Sequence, residues 1–169
     1  MKKIIILFGF IFLLNPQRAL RDKMFYNANG IEGVIFSYPL PTNVQRMETL
    51  SWTPTVAQVL EADSLILAQN FKKLGGEAMD SFCTKNCPVI AKNWRNYLRQ
   101  AIGYLNEEND SLVHLSFIWK ADSTKYGDWK TENIEVLGSC SKIWSASVDL
   151  KRKVVHKVAL PEIICYDLD

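Results

Sequence analysis

The segment from Tyr97 to Trp119 constrains the fold of this chain more than any other. It contains two apolar runs, rich in aromatic and β-branched residues, on either side of a polar cluster at 106–111. This is the pattern of a β-hairpin with a longer loop. In the second run apolar residues alternate with His114 and Ser116, which predicts one buried and one hydrated face. We expect this hairpin to lie at the centre of the fold.

Residues 1–19 have the pattern of a secretory signal peptide. Lys2 and Lys3 precede an apolar run at 4–14, which falls well short of the ~20 residues that span a bilayer. Gln17 is larger than the residue that signal peptidase prefers at this position, so a short uncleaved anchor is the alternative. We expect an exported protein, in the periplasm, at the cell surface or outside the cell. The leader, if it is retained, is the only expected contact with the membrane.

After the leader we expect a linker at 20–30 and a single domain at 31–169. The 48% hydrophobic and 22% charged residues are ordinary for a globular domain. The formal charge of +2 belongs to the leader, because loss of Lys2, Lys3 and Arg18 leaves 17 basic against 18 acidic residues, a net charge of −1. There is no clustered basic face in the sequence, so we expect no nucleic-acid partner.

The candidates for disulfide bonds are Cys83, Cys87, Cys140 and Cys165. An even number of cysteines in an exported chain favours disulfides, and three pairings are possible. A bond of Cys83 with Cys87 would close a small loop, and a bond of Cys140 with Cys165 would tie the sheet to the C-terminal tail. A zinc site or a redox pair is the alternative. Zinc sites, however, generally consist of two pairs of ligands that are each close in sequence, and here only Cys83 and Cys87 are close. We therefore expect neither a metal nor a cofactor.

The clearest helix is predicted at 54–74. Thr53 is the expected N-cap, Pro54 the first helical residue, and Gly75-Gly76 the stop signal. The apolar stripe of this helix consists of Val56, Leu60, Leu67, Phe71 and Leu74, with Val59 and Ile66 beside it. This stripe is available to cover a sheet.

The remaining apolar segments predict strands. A first strand is expected at 31–38, at an edge of the sheet, and the central hairpin is followed by alternating segments at 129–137, 144–150 and 154–160. One long helix packed on an antiparallel meander of about four to five strands is an α+β fold.

No motif of a known enzyme class is present. Nucleophile-elbow, phosphate-loop, dinucleotide, zinc-protease and calcium-loop patterns are all missing from the sequence. A histidine-based mechanism would have to use His114 or His156, and a pair of either with Cys140 has no identifiable third group. The hairpin loop has an acidic cluster, for which solvated turn residues are the default interpretation. This cluster consists of Glu107, Glu108 and Asp110.

The hydrated face of the sheet is the more plausible functional surface. A curved sheet with such a face can hold a small ligand or receive a partner segment, and a simple hydrated surface is the alternative. The residues expected on this face are His114, Ser116, Glu135, Ser145, Ser147 and Asp149. The aromatic residues expected at its border are Tyr104, Trp119, Tyr126 and Trp129.

Four features together resemble an uncharacterised family of small exported bacterial proteins. They are the leader, Trp52-Thr53-Pro54-Thr55 at a helix start, Tyr97-Leu98-Arg99-Gln100-Ala101-Ile102-Gly103-Tyr104, and a Trp-bearing strand after Gly138-Ser139-Cys140. The order of one helix and an antiparallel meander is also similar to the cystatin-like and NTF2-like scaffolds. The resemblance implies a cystatin-like layout but no functional residue, because this scaffold supports inhibitors, enzymes and binding modules.

Three functions are therefore considered. The first is a noncatalytic exported binding or interaction module, with another envelope protein as candidate partner. The second is a small enzyme that uses a cavity between helix and sheet, with His114 as the base. The third is a cystatin-like protease inhibitor, for which Asn27-Ala28-Asn29-Gly30 would supply a faint version of the Gly-bearing N-terminal arm.

Overall fold

The computed structural model describes residues 23–37, 51–69, 88, 90–134 and 140–159. Their fold is α+β, with one mixed sheet of seven strands. The strands are β1 (Lys23–Ala28), β2 (Ile31–Phe36), β3 (Ser51–Trp52), β4 (Tyr97–Leu105), β5 (Ser111–Trp119), β6 (Ile143–Asp149) and β7 (Val154–Ala159). Helix α1 spans Val56–Leu67, and short 3₁₀ helices span Ile90–Asn96, Lys120–Lys125 and Cys140–Lys142.

The predicted central hairpin is confirmed. β4 and β5 pair antiparallel along their whole length and lie in the middle of the strand order β1-β2-β4-β5-β6-β7. The side chain of Asn106 closes the loop, because its Oδ1 accepts hydrogen bonds from the backbone N–H groups of Glu108 and Asp110. Glu107 and Glu108 are exposed, in agreement with their interpretation as turn residues.

The sheet is larger than predicted, and it is not purely antiparallel. β4 to β7 form the expected antiparallel meander. The β1–β2 hairpin joins the free side of β4 through a parallel pairing of β2 with β4. The long connection between β2 and β4, which includes α1, permits this parallel arrangement. β2 is therefore an interior strand, whereas the sequence predicted an edge.

β1 lies within residues 20–30, where the sequence predicted a linker. The Asn29-Gly30 pair explains this strand, since the two residues have φ angles of 55° and 76°. Positive φ at both positions is what a two-residue turn between antiparallel strands requires. Asn27–Gly30 therefore belong to a tight hairpin and not to an extended N-terminal arm.

Helix α1 has 12 residues and begins later than predicted. Thr55, not Thr53, is the N-cap: its hydroxyl accepts a hydrogen bond from the backbone N–H of Gln58, and the Gln58 side chain accepts one from the N–H of Thr55. This reciprocal capping box satisfies two N–H groups that have no helical partner, so Pro54 precedes the helix. The described residues do not contain one long helix, and the predicted continuation at 70–74 lies outside them.

The buried face of α1 is rotated from the predicted stripe. Val56 and Leu60 are half-buried at its margin, and Leu67 is 42% exposed. The difference arises because a carboxylate, that of Asp63, lies in the middle of the buried face and interrupts its apolar pattern. The buried residues are Val59, Ala62, Asp63 and Ile66.

The side of the sheet that α1 covers, called here the helix face, has an aromatic core. The Phe117 and Trp144 rings stack with 3.8 Å between centroids and 2° between planes. Tyr97 contacts Trp119 edge to face at 5.2 Å. Trp119 was expected at the border of the hydrated face, but it lies on the helix face, on the same side of β5 as Leu115 and Phe117.

The opposite side of the sheet, called here the far face, is partly covered by the segment that follows β5. A strand was predicted at 129–137, but residues 129–132 form turns. The backbone of this segment bonds to the side chain of Gln100 on β4 instead of to a neighbouring strand. The bonds, 2.6 to 2.9 Å long, join Gln100 to the carbonyl oxygens of Trp129 and Glu132 and to the N–H of Ile134.

The predicted leader and disulfides are not part of the described structure. Residues 1–22 and Cys83, Cys87 and Cys165 lie outside it, and of Cys140 only the backbone is described, at the start of a 3₁₀ helix. These features therefore stay predictions. Within the described ranges, no helix has the length and apolar character needed to cross a membrane.

Candidate functional site

The far face carries the polar residues that were predicted to share one side of the sheet. β5 and β6 pair so that His114 lies opposite Ser147, and Ser116 lies opposite Ser145. Asp149 follows Ser147 by two positions and therefore projects from the same face. The sequence prediction is confirmed for these five residues.

Tyr104, His114 and Ser147 form a hydrogen-bonded group on this face, called here the Tyr–His–Ser cluster. The Tyr104 hydroxyl donates to Ser147 Oγ over 3.1 Å, and His114 Nδ1 lies 3.0 Å from the same oxygen. The Tyr104 and His114 rings contact each other edge to face at 6.5 Å. Three adjacent strands each supply one residue, so the pairing of the strands fixes the relative positions of the three side chains.

The far face is less hydrated than predicted. Ser116, Ser147 and Asp149 are 3%, 5% and 0% exposed, and of the cluster only Tyr104 and His114 remain half-buried. One reason is the segment held by Gln100, since Tyr126 and Trp129 pack on this face as part of its cover and not at a wet border. Another is that the same strands place apolar residues there, including Ile102, Leu112 and Ile118. Glu135 lies outside the described residues.

Charged groups lie at one end of the far face. Asp149 Oδ1 accepts a hydrogen bond from the backbone N–H of Arg152 at 2.9 Å, and the Arg152 guanidinium is 3.3 Å from Asp149 Oδ2. The same guanidinium pairs with Asp110 of the hairpin loop. Desolvation acts to raise the pKa of Asp110, but the hydrogen bond and charge of Arg152 outweigh it and hold that pKa below its usual range. His156 Nε2, which is 3.9 Å from Asp149 Oδ2, completes this group.

The cluster suits binding better than nucleophilic attack. A Ser–His contact of 3.0 Å is the geometry of an activated hydroxyl, but Ser147 is nearly covered, so its Oγ offers little approach to a substrate carbon. His114 lies on the far face and cannot act as a base in a cavity between helix and sheet, as the enzyme hypothesis required. No set of three or more His, Cys, Asp or Glu residues in the described part of the chain is arranged to hold a metal ion.

Comparisons with protein-family models, with curated proteins and with solved structures give no match. The resemblance to a family of exported bacterial proteins therefore stays a prediction. The function has to be inferred from the geometry.

A buried ion pair on the helix face is the main feature that the sequence analysis missed. Arg99 projects from β4 without any exposed surface, and its Nε lies 2.8 Å from Asp63 Oδ1 on α1. Asp63 Oδ2 accepts a hydrogen bond of 2.6 Å from the Trp94 indole, and Arg99 Nη1 donates to the carbonyl oxygens of Trp94 and Tyr97. The guanidinium also faces the Trp94 and Phe117 rings, 5.1 Å from each centroid.

Proposed function

We propose that this protein is an exported, noncatalytic binding module that uses the Tyr–His–Ser cluster to bind a ligand or a partner protein of the cell envelope. The observation that carries the proposal is the contrast within the cluster: Ser147 is covered, while Tyr104 and His114 are partly exposed. The covered hydroxyl orients both rings through its hydrogen bonds. Each ring combines an apolar body with a polar atom, which suits binding surfaces.

The charges near the cluster favour a neutral polar ligand. The carboxylates of Asp110 and Asp149 are offset by Arg152, which pairs with both, and by the nearby charge of Lys151, so this end of the face has no strong field of one sign. A phosphate or another strongly charged ligand would have to compete with these pairs. Export rests on the sequence of residues 1–19 alone.

The test is capture of partners from detergent-solubilised envelope extract, followed by mass spectrometry. The baits are the full chain, His114→Ala and a control, Leu67→Ser, which changes a residue that is 42% exposed on α1, on the other side of the sheet. A partner that the wild type and the control retain and His114→Ala loses supports the proposal. Identical capture by all three baits contradicts it.

A second candidate function is hydrolysis, which only the Ser147–His114 distance favours. A fluorophosphonate probe tests it, because Ser147 Oγ would form a bond to phosphorus, fluoride would leave, and His114 would take the hydroxyl proton. We expect no labelling. Labelling of the wild type that both Ser147→Ala and His114→Ala abolish would establish the enzyme instead.

The cystatin-like comparison is supported only by the order of α1 and the β4–β7 meander. Inhibition by such a scaffold would need an extended glycine-bearing arm, but Asn29 and Gly30 form a tight turn. We therefore expect the protein to leave the activity of a papain-like protease unchanged when it is added in excess. Stoichiometric inhibition would restore the inhibitor hypothesis.

A further inference from the structure

The outer edge of β1 is open in the part of the chain that the structure describes, where β1 pairs only with β2. Residues that flank a two-residue turn form a hydrogen-bonded pair, and such pairs recur at every second position of the hairpin. Counted back from Ala28, which flanks this turn, every second residue of β1 bonds to β2. The N–H and C=O groups of Lys23, Phe25 and Asn27 therefore point away from the sheet.

This edge has few of the features that prevent strands from pairing. Proteins protect open edges with prolines, bulges or charged side chains. β1 has no proline, its register with β2 is regular, and its only charged residue is Lys23 at one end. Met24 and Phe25 are 46% and 55% exposed there. β7, the last strand on the other side of the sheet, has an irregular register with β6.

We propose that β1 pairs with β1 of a second copy of this chain, antiparallel about a two-fold axis at Phe25. In this register the two Phe25 residues lie opposite each other, and Lys23 of each copy lies opposite Asn27 of the other. The charge pattern selects this orientation, since a parallel pair in register would place the two lysines side by side. The same strand serves both copies, as a two-fold interface requires. The two sheets then form one continuous sheet.

This interface is separate from the proposed function, because the Tyr–His–Ser cluster lies on β4, β5 and β6. Failure of one proposal therefore leaves the other standing. The proposed pairing predicts that the average molecular mass of the protein in solution rises with its concentration and depends on the side chain at position 25.

Sedimentation equilibrium of the full chain from roughly 1 µM to 1 mM tests the pairing. We expect the wild type to dimerise in this range, and Phe25→Lys to weaken dimerisation at least about tenfold, because two lysines then face each other. Val154→Lys is the matched control at the other edge, since Val154 is 48% exposed and lies outside the interface. It should dimerise like the wild type. Circular dichroism checks that each variant is folded.

A charge exchange tests the contact at position 25 directly. Phe25→Lys and Phe25→Glu should each be largely monomeric, and an equimolar mixture should form a mixed dimer, because opposite charges then face each other. A wild type that is monomeric at all concentrations overturns the proposal, whether or not β1 binds some other protein. Equal weakening by Val154→Lys, or a mixture that stays monomeric, also overturns it.

Discussion

Asp63 on α1 and Arg99 on β4 form an ion pair of 2.8 Å in which the two side chains are only 3% and 0% exposed. Desolvation of two charges cancels much of their attraction, so such a pair contributes little net stability. Its hydrogen bonds are directional, however, and they join one residue of the helix to one residue of the sheet. We infer that the pair determines where α1 sits on the helix face.

Loss of one partner should destabilise the fold strongly. Arg99→Met leaves the Asp63 carboxylate buried without its counter-charge, and we expect the free energy of unfolding to fall by about 3–5 kcal/mol. Adding Asp63→Leu removes the second charge and should recover most of this loss. Urea unfolding of both variants gives the measurement. A double variant that is no more stable than Arg99→Met would argue against this account.

Gly103→Ala should open the pairing of β3 with β4. A Cβ at position 103 would lie 2.5 Å from the carbonyl oxygen of Trp52 and 2.8 Å from its ring. We expect a loss of about 1–3 kcal/mol, as for other overpacked sites, together with faster amide hydrogen exchange in β3. In a Trp52→Ala background, Gly103→Ala should cost less, because the ring contact is gone, but it should still destabilise, because the carbonyl contact remains. If amide hydrogen exchange in β3 is as slow in Gly103→Ala as in the wild type, the predicted clash with Trp52 is contradicted.

Gly30→Ala should weaken the β1–β2 hairpin, because Gly30 has a φ of 76° that an alanine adopts only with strain. The expected loss is about 1 kcal/mol in thermal or urea unfolding. Asn29→Gly is the control, since glycine adopts the φ of 55° at that position easily and should change stability little. Equal effects of the two substitutions would exclude backbone strain as the cause.

Asp122 should contribute to stability at neutral pH and lose that contribution in acid. Hydrogen bonds from Lys125 and Lys142 lower the pKa of Asp122 in the folded protein. In the unfolded chain the Asp122 carboxyl has an ordinary pKa of about 4. It is therefore protonated at a higher pH than in the folded protein. The contribution of Asp122 to stability is therefore complete above the pKa of the unfolded chain. It is lost as the pH falls through the lower pKa of the folded protein.

Asp122→Asn tests this dependence. The variant should be less stable than the wild type at pH 7, and the difference should shrink below a pH of about 4, since the wild-type carboxylate is then protonated as well. Urea unfolding at a series of pH values measures both. A constant difference down to the lowest pH would point to packing and not to charge.

Local patterns predicted the centre of the fold, because alternation in β5 and β6 reports directly which side chains share a face. The N-terminal hairpin was missed although its signal was present: Asn29-Gly30 is a strong two-residue turn pair, but the polar composition around it suggested a linker. Arg99 was missed for a different reason. It occupies a position that alternation assigns to the buried side, and its partner Asp63 lies far away in the sequence.

The candidate site could be predicted only in part. Register brings His114 opposite Ser147, and register follows from the strand pattern. The exposure of the same face depends on a distant segment that Gln100 holds against the sheet through backbone groups. The alternation at 129–137 predicted a strand, and nothing in that pattern indicates backbone bonds to Gln100. The sequence therefore predicted water on the face that the segment covers.

The parallel pairing of β2 with β4 has a consequence for assembly during synthesis. The ribosome makes Ile35 long before Ala101, its neighbour across the sheet, exists. Until β4 appears, the early hairpin has nothing to dock on, and an isolated two-stranded hairpin is marginally stable in water. The part of the described fold that is synthesised first is therefore among the last to become stable.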